Sequence, residues 1–276
     1  MKKVIATTAS AVLILLLICT IFSESIGTLT AKLIYKDNNS AYELSDEIKS
    51  VSLNKNDYVF FGRFNGENIL WKVISVDSNG HALLMSERVL CFMPFDAGNK
   101  PKADSSNWET STIREWLNST QDKQYVFECS TENKIKNDTL IFKGGFLSSN
   151  NFTSDEISLL IKDGDKVLLP DTAMLADMSL KDRQRSPTAQ AVINDCSSYI
   201  QFRKYCWYWT RTPITTNTSS VTAVTTSGGY YKALANDGLM GVCPVVRTES
   251  SQVYVHGGNG TLATPYILTA EVGNNE

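Results

Sequence analysis

The sequence predicts an α+β domain of antiparallel strands with a few short helices. Three observations carry that expectation. Strand-like runs lie toward both ends of the chain with helix-start signals between them, hairpin turn chemistry separates the early runs, and no regular strand–helix alternation suggests a doubly wound parallel sheet.

The first residues stand apart from that domain. Lys2 and Lys3 precede a charge-free stretch from Val4 to Phe22, most apolar over residues 13–18, which is the pattern of an export signal. At about 1.5 Å per helical residue the stretch just crosses a hydrocarbon core of about 30 Å. Residues 1–27 are therefore read as a signal peptide or a signal anchor. Ser23, Ser25 and Gly27 offer a peptidase small residues at the required spacing, whereas Ile18 is too large to precede a lipidated Cys19. Both early lysines lie before the segment and the next basic residue is Lys32, so the positive-inside bias places the rest of the chain outside. The expected localisation is the cell membrane, single-pass with the C-terminal domain outside, or secretion.

Residues 28–56 are polar and mixed and read as a linker or stalk, with a short helix expected around Tyr42 to Lys49. Residues 57–276 are read as a single globular domain. It opens with β-rich runs at Tyr58 to Gly62, Ile69 to Val76 and Ala82 to Met85, separated by Asn65-Gly66 and Ser78-Asn79-Gly80, which predict an antiparallel meander. A helix is expected from Ser111 to Asn118, where Ile113, Trp116 and Leu117 share a face and Ser111 or Thr112 caps, the latter with Glu115. Thr153-Ser154-Asp155-Glu156 starts a second helix, ended by Asp163-Gly164-Asp165. Ser186-Pro187 starts a third, running from Ala189 to Ile193. Strands return at Tyr205 to Thr210, Val221 to Thr226, Val242 to Arg247, Val253 to His256 and Tyr266 to Ala270.

Composition narrows the function classes. The net charge of −3 gives no basic stripe, so a nucleic-acid partner is not expected. Of six cysteines, Cys19 falls in the apolar segment, and the remaining Cys91, Cys129, Cys196, Cys206 and Cys243 are odd in number. They are read as mostly free, buried thiols with room for one disulfide.

Several segments occur in a telling order. They are Ile69 to Val76 with Trp71, Ala82 to Glu87, Trp108 to Asn118 containing Ile113-Arg114-Glu115-Trp116-Leu117-Asn118, Asp165 to Pro170, and Ser186 to Ala189. Trp207-Tyr208-Trp209-Thr210-Arg211-Thr212-Pro213, Gly241 to Val246, and Gly258 to Thr261 with Pro265-Tyr266 complete the order. Together they resemble a bacterial family of exported proteins carrying a domain of unknown function. That family's domain is similar to the C-type-lectin-like fold of the formylglycine-generating (sulfatase-modifying) enzymes, and the resemblance covers roughly Asp57 to Arg247. Two departures stand out: Cys243 occupies a position where an Arg is usual, and Pro170-Asp171 stands where a Ser is usual.

Catalytic sets are sparse. The two histidines, His81 and His256, sit beside turns, and there is no G-x-S-x-G elbow, no C-x-x-C and no H-E-x-x-H. Oxidase chemistry of the resembled enzymes would fall to Cys206 and Cys243, whose contexts do not reproduce the closely spaced cysteine motif of those enzymes. The stretch from Gly258 to Ala263 imitates a dinucleotide fingerprint but leads into a strand, so it reads as a turn. Asp163-Gly164-Asp165 and Asn236-Asp237-Gly238 could touch calcium but lack spaced acidic ligands, and no cofactor is expected.

The aromatic cluster carries the functional expectation. Strand alternation sends Trp207 and Trp209 to one face, with Arg211 following, and Tyr208 to the other. The tryptophans are expected inside, against Trp116 and Trp71. Tyr208, with Tyr230 and Tyr231, is expected to form an exposed stacking platform, with Arg211 and Asp237 completing a ligand site. The expected function is non-catalytic binding of a glycan or protein at the bacterial cell surface. The alternatives are a cysteine-based oxidase and a purely structural envelope protein.

Overall fold

The computed structural model describes residues 48–98, 103–128, 139–193 and 204–270. The expected export segment, Cys129 and Cys196 therefore lie outside the described residues, and among the described residues no helix is long and apolar enough to cross a membrane.

The strands are β1 (Lys49–Val51), β2 (Tyr58–Phe64), β3 (Glu67–Val76), β4 (His81–Ser86), β5 (Cys91–Phe92), β6 (Tyr125–Glu128), β7 (Thr139–Phe142) and β8 (Val167–Leu168). After them come β9 (Tyr208–Pro213), β10 (Ser220–Val224), β11 (Tyr230–Leu234), β12 (Gly241–Val242), β13 (Val245–Glu249), β14 (Val253–Val255) and β15 (Tyr266–Thr269). Among the described residues four short helices accompany them: α1 (Thr112–Leu117), α2 (Ser154–Ser158), α3 (Leu180–Arg183) and α4 (Ala189–Ile193), with a 3₁₀ turn at Trp108–Thr110. The strands form an eight-stranded sheet in the order β1-β14-β15-β2-β3-β4-β13-β8, a five-stranded sheet β11-β10-β9-β12-β5, and the pair β6-β7. Pairing is antiparallel except β15 with β2 and β12 with β9. This is the α+β arrangement the sequence predicts.

Local chemistry accounts for the connections. Asn65 and Gly66 both take positive φ, 52° and 83°, which gives the β2–β3 turn the backbone twist that suits a tight hairpin. At the next turn the Asp77 carboxylate accepts the backbone N–H groups of Asn79 and His81 at 2.9 and 3.0 Å. Ser111 caps α1 through the Arg114 N–H, and the alternative cap Thr112 instead accepts from the Ala97 N–H. Thr153 and Glu156 close a full capping box on α2, which ends at Ser158, well before Asp163.

Four expectations are corrected. The linker gives way to structure by Lys49: β1 pairs with β14 and Leu53 is in the core, so Lys49 belongs to a strand, Ile48 is in no helix, and residues 42–47 of the expected helix lie outside the described residues. The cap of α4 is Thr188, whose hydroxyl accepts the Ala191 N–H at 3.0 Å, because Pro187 is held in a bridge to Val89. The single strand expected from Val242 to Arg247 divides at Cys243-Pro244 into β12 and β13, which belong to different sheets. A backbone N–H missing at proline breaks a ladder at that point.

The core is an aromatic chain that joins these layers. Phe61 stacks on Trp71 at 5.2 Å, Phe152 meets Phe61 at 5.7 Å and Phe146 at 5.3 Å, and Phe146 meets Trp116 at 5.6 Å. Each core indole N–H has an acceptor: Trp71 donates to Phe61 O at 2.9 Å, Trp116 to Gly144 O at 3.0 Å and Trp209 to Met93 O at 2.8 Å. These bonds remove the penalty that a buried indole N–H would otherwise carry.

Candidate functional site

The two motifs singled out in the sequence converge on one region. In α1, Ile113, Trp116 and Leu117 enter the core while Arg114 and Asn118 reach sideways to the segment before β8. Asn118 donates to Val167 O at 2.8 Å and accepts from the N–H groups of Lys166 and Val167, both at 3.0 Å. Arg114 Nε donates to Asp165 Oδ2 at 2.8 Å, and the same oxygen accepts the Trp108 indole N–H at 2.9 Å. The carboxylate raises the Arg114 pKa further, chiefly through that hydrogen bond. Arg114 also bonds Glu109 through its backbone carbonyl at 2.9 Å and its carboxylate at 3.1 Å. The 3₁₀ turn carrying Trp108 and Glu109 is thereby fixed.

The second motif lies across from that turn. Arg211 on β9 gives its backbone N–H to Pro170 O at 2.8 Å and its Nη2 to Asp171 Oδ2 at 2.8 Å. Asp171 is oriented from behind, because its other oxygen accepts the Met174 N–H at 2.8 Å. Thr212 Oγ1 accepts the Thr172 N–H at 3.0 Å, locking the two segments side by side. Between the walls opens a cleft of about 550 Å³, lined by Ser106, Asn107, Trp108 and Glu109 on one side and Asp171, Arg211, Thr212 and Pro213 on the other. The ion pair at its back is partly exposed, 29% for the Arg211 side chain and 24% for Asp171. Arg211 Nε is buried without an acceptor, so the guanidinium retains unused donor capacity.

The remaining expected site residues do not gather there. Tyr208 is fully buried, with its hydroxyl donating to Arg183 O at 2.7 Å and burial pushing its pKa up. The exposed platform expected at Tyr208 is corrected accordingly: alternation assigned its face properly, but α3 and the chain after it cover that face. Tyr230 lies on the same covered face, 39% exposed, with the Arg183 guanidinium 4.8 Å from its ring centroid. Its hydroxyl points at Thr172 O, 3.5 Å away, beside Asp171. Burial raises its pKa, and Asp171 adds to the rise after the opposing effect of Arg183.

Tyr231 sits on the opposite face, 57% exposed, edge-on to the half-buried Trp207 at 5.5 Å. Trp209 is buried as expected, but its ring partner is Phe95 at 5.8 Å, in place of Trp116 or Trp71. Asp237 is buried in a turn and accepts the Leu239 N–H at 2.9 Å, away from the cleft lining. Asp171, Trp108 and Glu109 were not among the expected site residues. Asp171 was visible only as a departure from the resembled pattern.

Acidic turns and thiols have other roles. Asp163 pairs with Arg247 at 2.7 Å, and Asp165 holds Arg114 and Trp108. Among the described residues no group of three or more His, Cys, Asp or Glu side chains is placed to hold a metal ion. His81 lies between Asp77 at 3.5 Å and Glu249 at 3.9 Å at the end of the β3–β4 hairpin. Cys91, Cys206 and Cys243 are buried, with their sulfurs outside any disulfide. Burial pushes the pKa values of Cys91 and Cys243 far above the usual thiol range, and the nearby Arg185 lowers that of Cys243 without offsetting the desolvation.

Thiolate is the reactive form. All three sulfurs are buried, so iodoacetamide applied to the folded protein is expected to leave these cysteines unmodified and to label them after unfolding in guanidinium. Peptide mass spectrometry reads the outcome, and native labelling of Cys206 or Cys243 would contradict it.

Comparison with curated proteins returns no match, and comparison with solved structures returns none either. One family model matches, over residues 79–249, and its description is that of a domain of unknown function. The matched span contains α1, β9 and every residue lining the cleft.

Proposed function

The chain belongs to this family, DUF6273, and we propose that it acts as a non-catalytic binding module whose ligand site is the cleft between Asp171–Arg211 and Trp108–Glu109. The observation that carries the reading is the partly exposed Arg211–Asp171 pair, anchored from behind by backbone groups and open to solvent on the cleft side. An arginine offers only donors and a carboxylate only acceptors. Side by side they match adjacent hydroxyl groups, each of which donates and accepts, so the ligand is a glycan. Glu109 on the facing wall adds acceptors, and the cleft volume falls within the range of small-ligand sites.

The cell-surface setting rests on the N-terminal segment, with residues 1–27 exporting the chain as a signal peptide or anchor and the residues after them acting as a stalk. The C-type-lectin-like reading of the fold rests on the order of the motifs and is part of the same proposal. A mature N-terminus between Glu24 and Thr28 in protein from the native host would identify secretion over anchoring.

The binding test is a glycan array probed with the protein and with Arg211→Ala. The variant is expected to lose binding at least tenfold while melting close to the parent, since a partly exposed ion pair contributes only about 0–1 kcal/mol to stability. Equal binding by both proteins, or binding by neither, would refute the cleft as a glycan site.

A further inference from the structure

We propose that a second cavity, about 750 Å³, is a separate binding site for a small anionic ligand carrying an amide or hydroxyl group near its carboxylate. It opens beside the β2–β3 turn and the chain that follows β7, and it shares no described lining residue with the Asp171–Arg211 cleft.

The first support is a hydroxyl. Ser148 lines the cavity, is fully buried, and its Oγ has no hydrogen-bond partner. Buried hydroxyls in folded proteins are nearly always paired, so an unpaired one at a cavity wall marks a place where a ligand atom completes the bond. The second support is the close approach that fixes this hydroxyl at the wall. Gly144 also lines the cavity, and a Cβ added there would stand 2.7 Å from Ser148 Oγ, so only glycine lets the hydroxyl lie where it does. Asn151 lines the same cavity, with its amide oriented by donation to Gly145 O at 3.3 Å and Phe146 O at 3.0 Å.

Charge selects the ligand class. Lys143 stands exposed on the rim, and no carboxylate is among the described lining residues. A site with one cation and several amides and hydroxyls favours an anion that also hydrogen-bonds. Phe64 and Phe142, with ring centroids 6.5 Å apart, supply an apolar wall for the ligand's carbon face. This contrasts with the cleft, where Asp171 and Glu109 outnumber Arg211.

Two sugars that differ by a lactyl ether bearing a carboxylate test the assignment: N-acetylglucosamine and N-acetylmuramic acid, titrated into the full protein by calorimetry. The parent is expected to bind the acid in preference to the neutral sugar. Ser148→Ala should weaken the acid about fivefold, as for one lost neutral hydrogen bond. The same variant should melt higher than the parent, because an unpaired buried hydroxyl is removed. Lys143→Gln should abolish the preference, Gly144→Ala should displace the Ser148 hydroxyl and weaken binding, and Arg211→Ala should leave this binding unchanged. Failure of the parent to bind either sugar would overturn the proposal. So would unaltered binding by both Ser148→Ala and Gly144→Ala, or loss of this binding in Arg211→Ala. Equal glycan-array binding by the parent and Arg211→Ala, with sugar-acid binding at the Ser148 site intact, would instead count against the cleft alone.

Discussion

Replacing Trp116 by alanine should lower the unfolding free energy by about 3–5 kcal/mol, the range for a large buried aromatic. The side chain is 1% exposed and sits where three phenylalanines meet, 4.8 Å from Phe142, 5.6 Å from Phe146 and 6.0 Å from Phe64. Those partners come from β2, β7 and the loop after β7, so the cavity left behind cannot close by moving one element. The loss should lie toward the upper end because the Gly144 carbonyl, which accepts the indole N–H at 3.0 Å, is orphaned at the same time. Trp116→Phe separates the contributions: it keeps most of the packing and forfeits the hydrogen bond, at about 1–3 kcal/mol. Urea titration followed by circular dichroism measures both, and a loss below about 1 kcal/mol for the alanine variant would show that this aromatic junction does not hold the layers together.

Gly228→Ala is expected to be comparably damaging for a different reason. The β10–β11 turn gives Gly228 a φ of 82°, and a Cβ there would stand 1.8 Å from the carbonyl oxygen of Leu180. The left-handed backbone alone costs an L-residue about 1–2 kcal/mol. The obstruction is backbone, so no side-chain rotation relieves it, and α3 must shift as a whole. Moving α3 disturbs the Arg183 carbonyl that accepts the buried Tyr208 hydroxyl at 2.7 Å and the Arg183 guanidinium above Tyr230 at 4.8 Å. A total of about 2–5 kcal/mol is expected, combining the backbone cost with overpacking. Gly66→Ala serves as the control, since Gly66 has a nearly identical φ of 83° with open space where its Cβ would go. It should lose only the conformational part. If thermal melts place the two variants together, the close approach of the turn to α3 contributes nothing.

Much of the fold was legible because its signals are local. Runs rich in β-formers marked β2, β3 and β4, the Asn65-Gly66 pair marked a turn that needs two positive φ angles, and Thr153 to Glu156 marked a helix start where a capping box forms in full. The β6–β7 pair was missed, as was the strand β11 behind the Gly228-Gly229 turn. The cap of α4 was placed too early, because Ser186-Pro187 is a strong local signal that a tertiary bridge to Val89 overrides. Of the expected site residues, Arg211 lines the cleft and Tyr230 lies beside it through Thr172, whereas Tyr208 is sealed in the core.

By itself the sequence determined which way side chains point: Trp209 and Arg211 to one side of β9 and Tyr208 to the other, and Trp116 to the inner face of α1. Backbone period alone dictates that alternation. It says nothing of whether a second layer covers the other face, and here α3 does, turning the anticipated platform into core. Only the tertiary structure brought Asp171, far from Arg211 in the chain, to within 2.8 Å of it and set Trp108 across the opening. A cleft is made by segments that meet after folding, and the packing that brings them together is spread over the whole aromatic core.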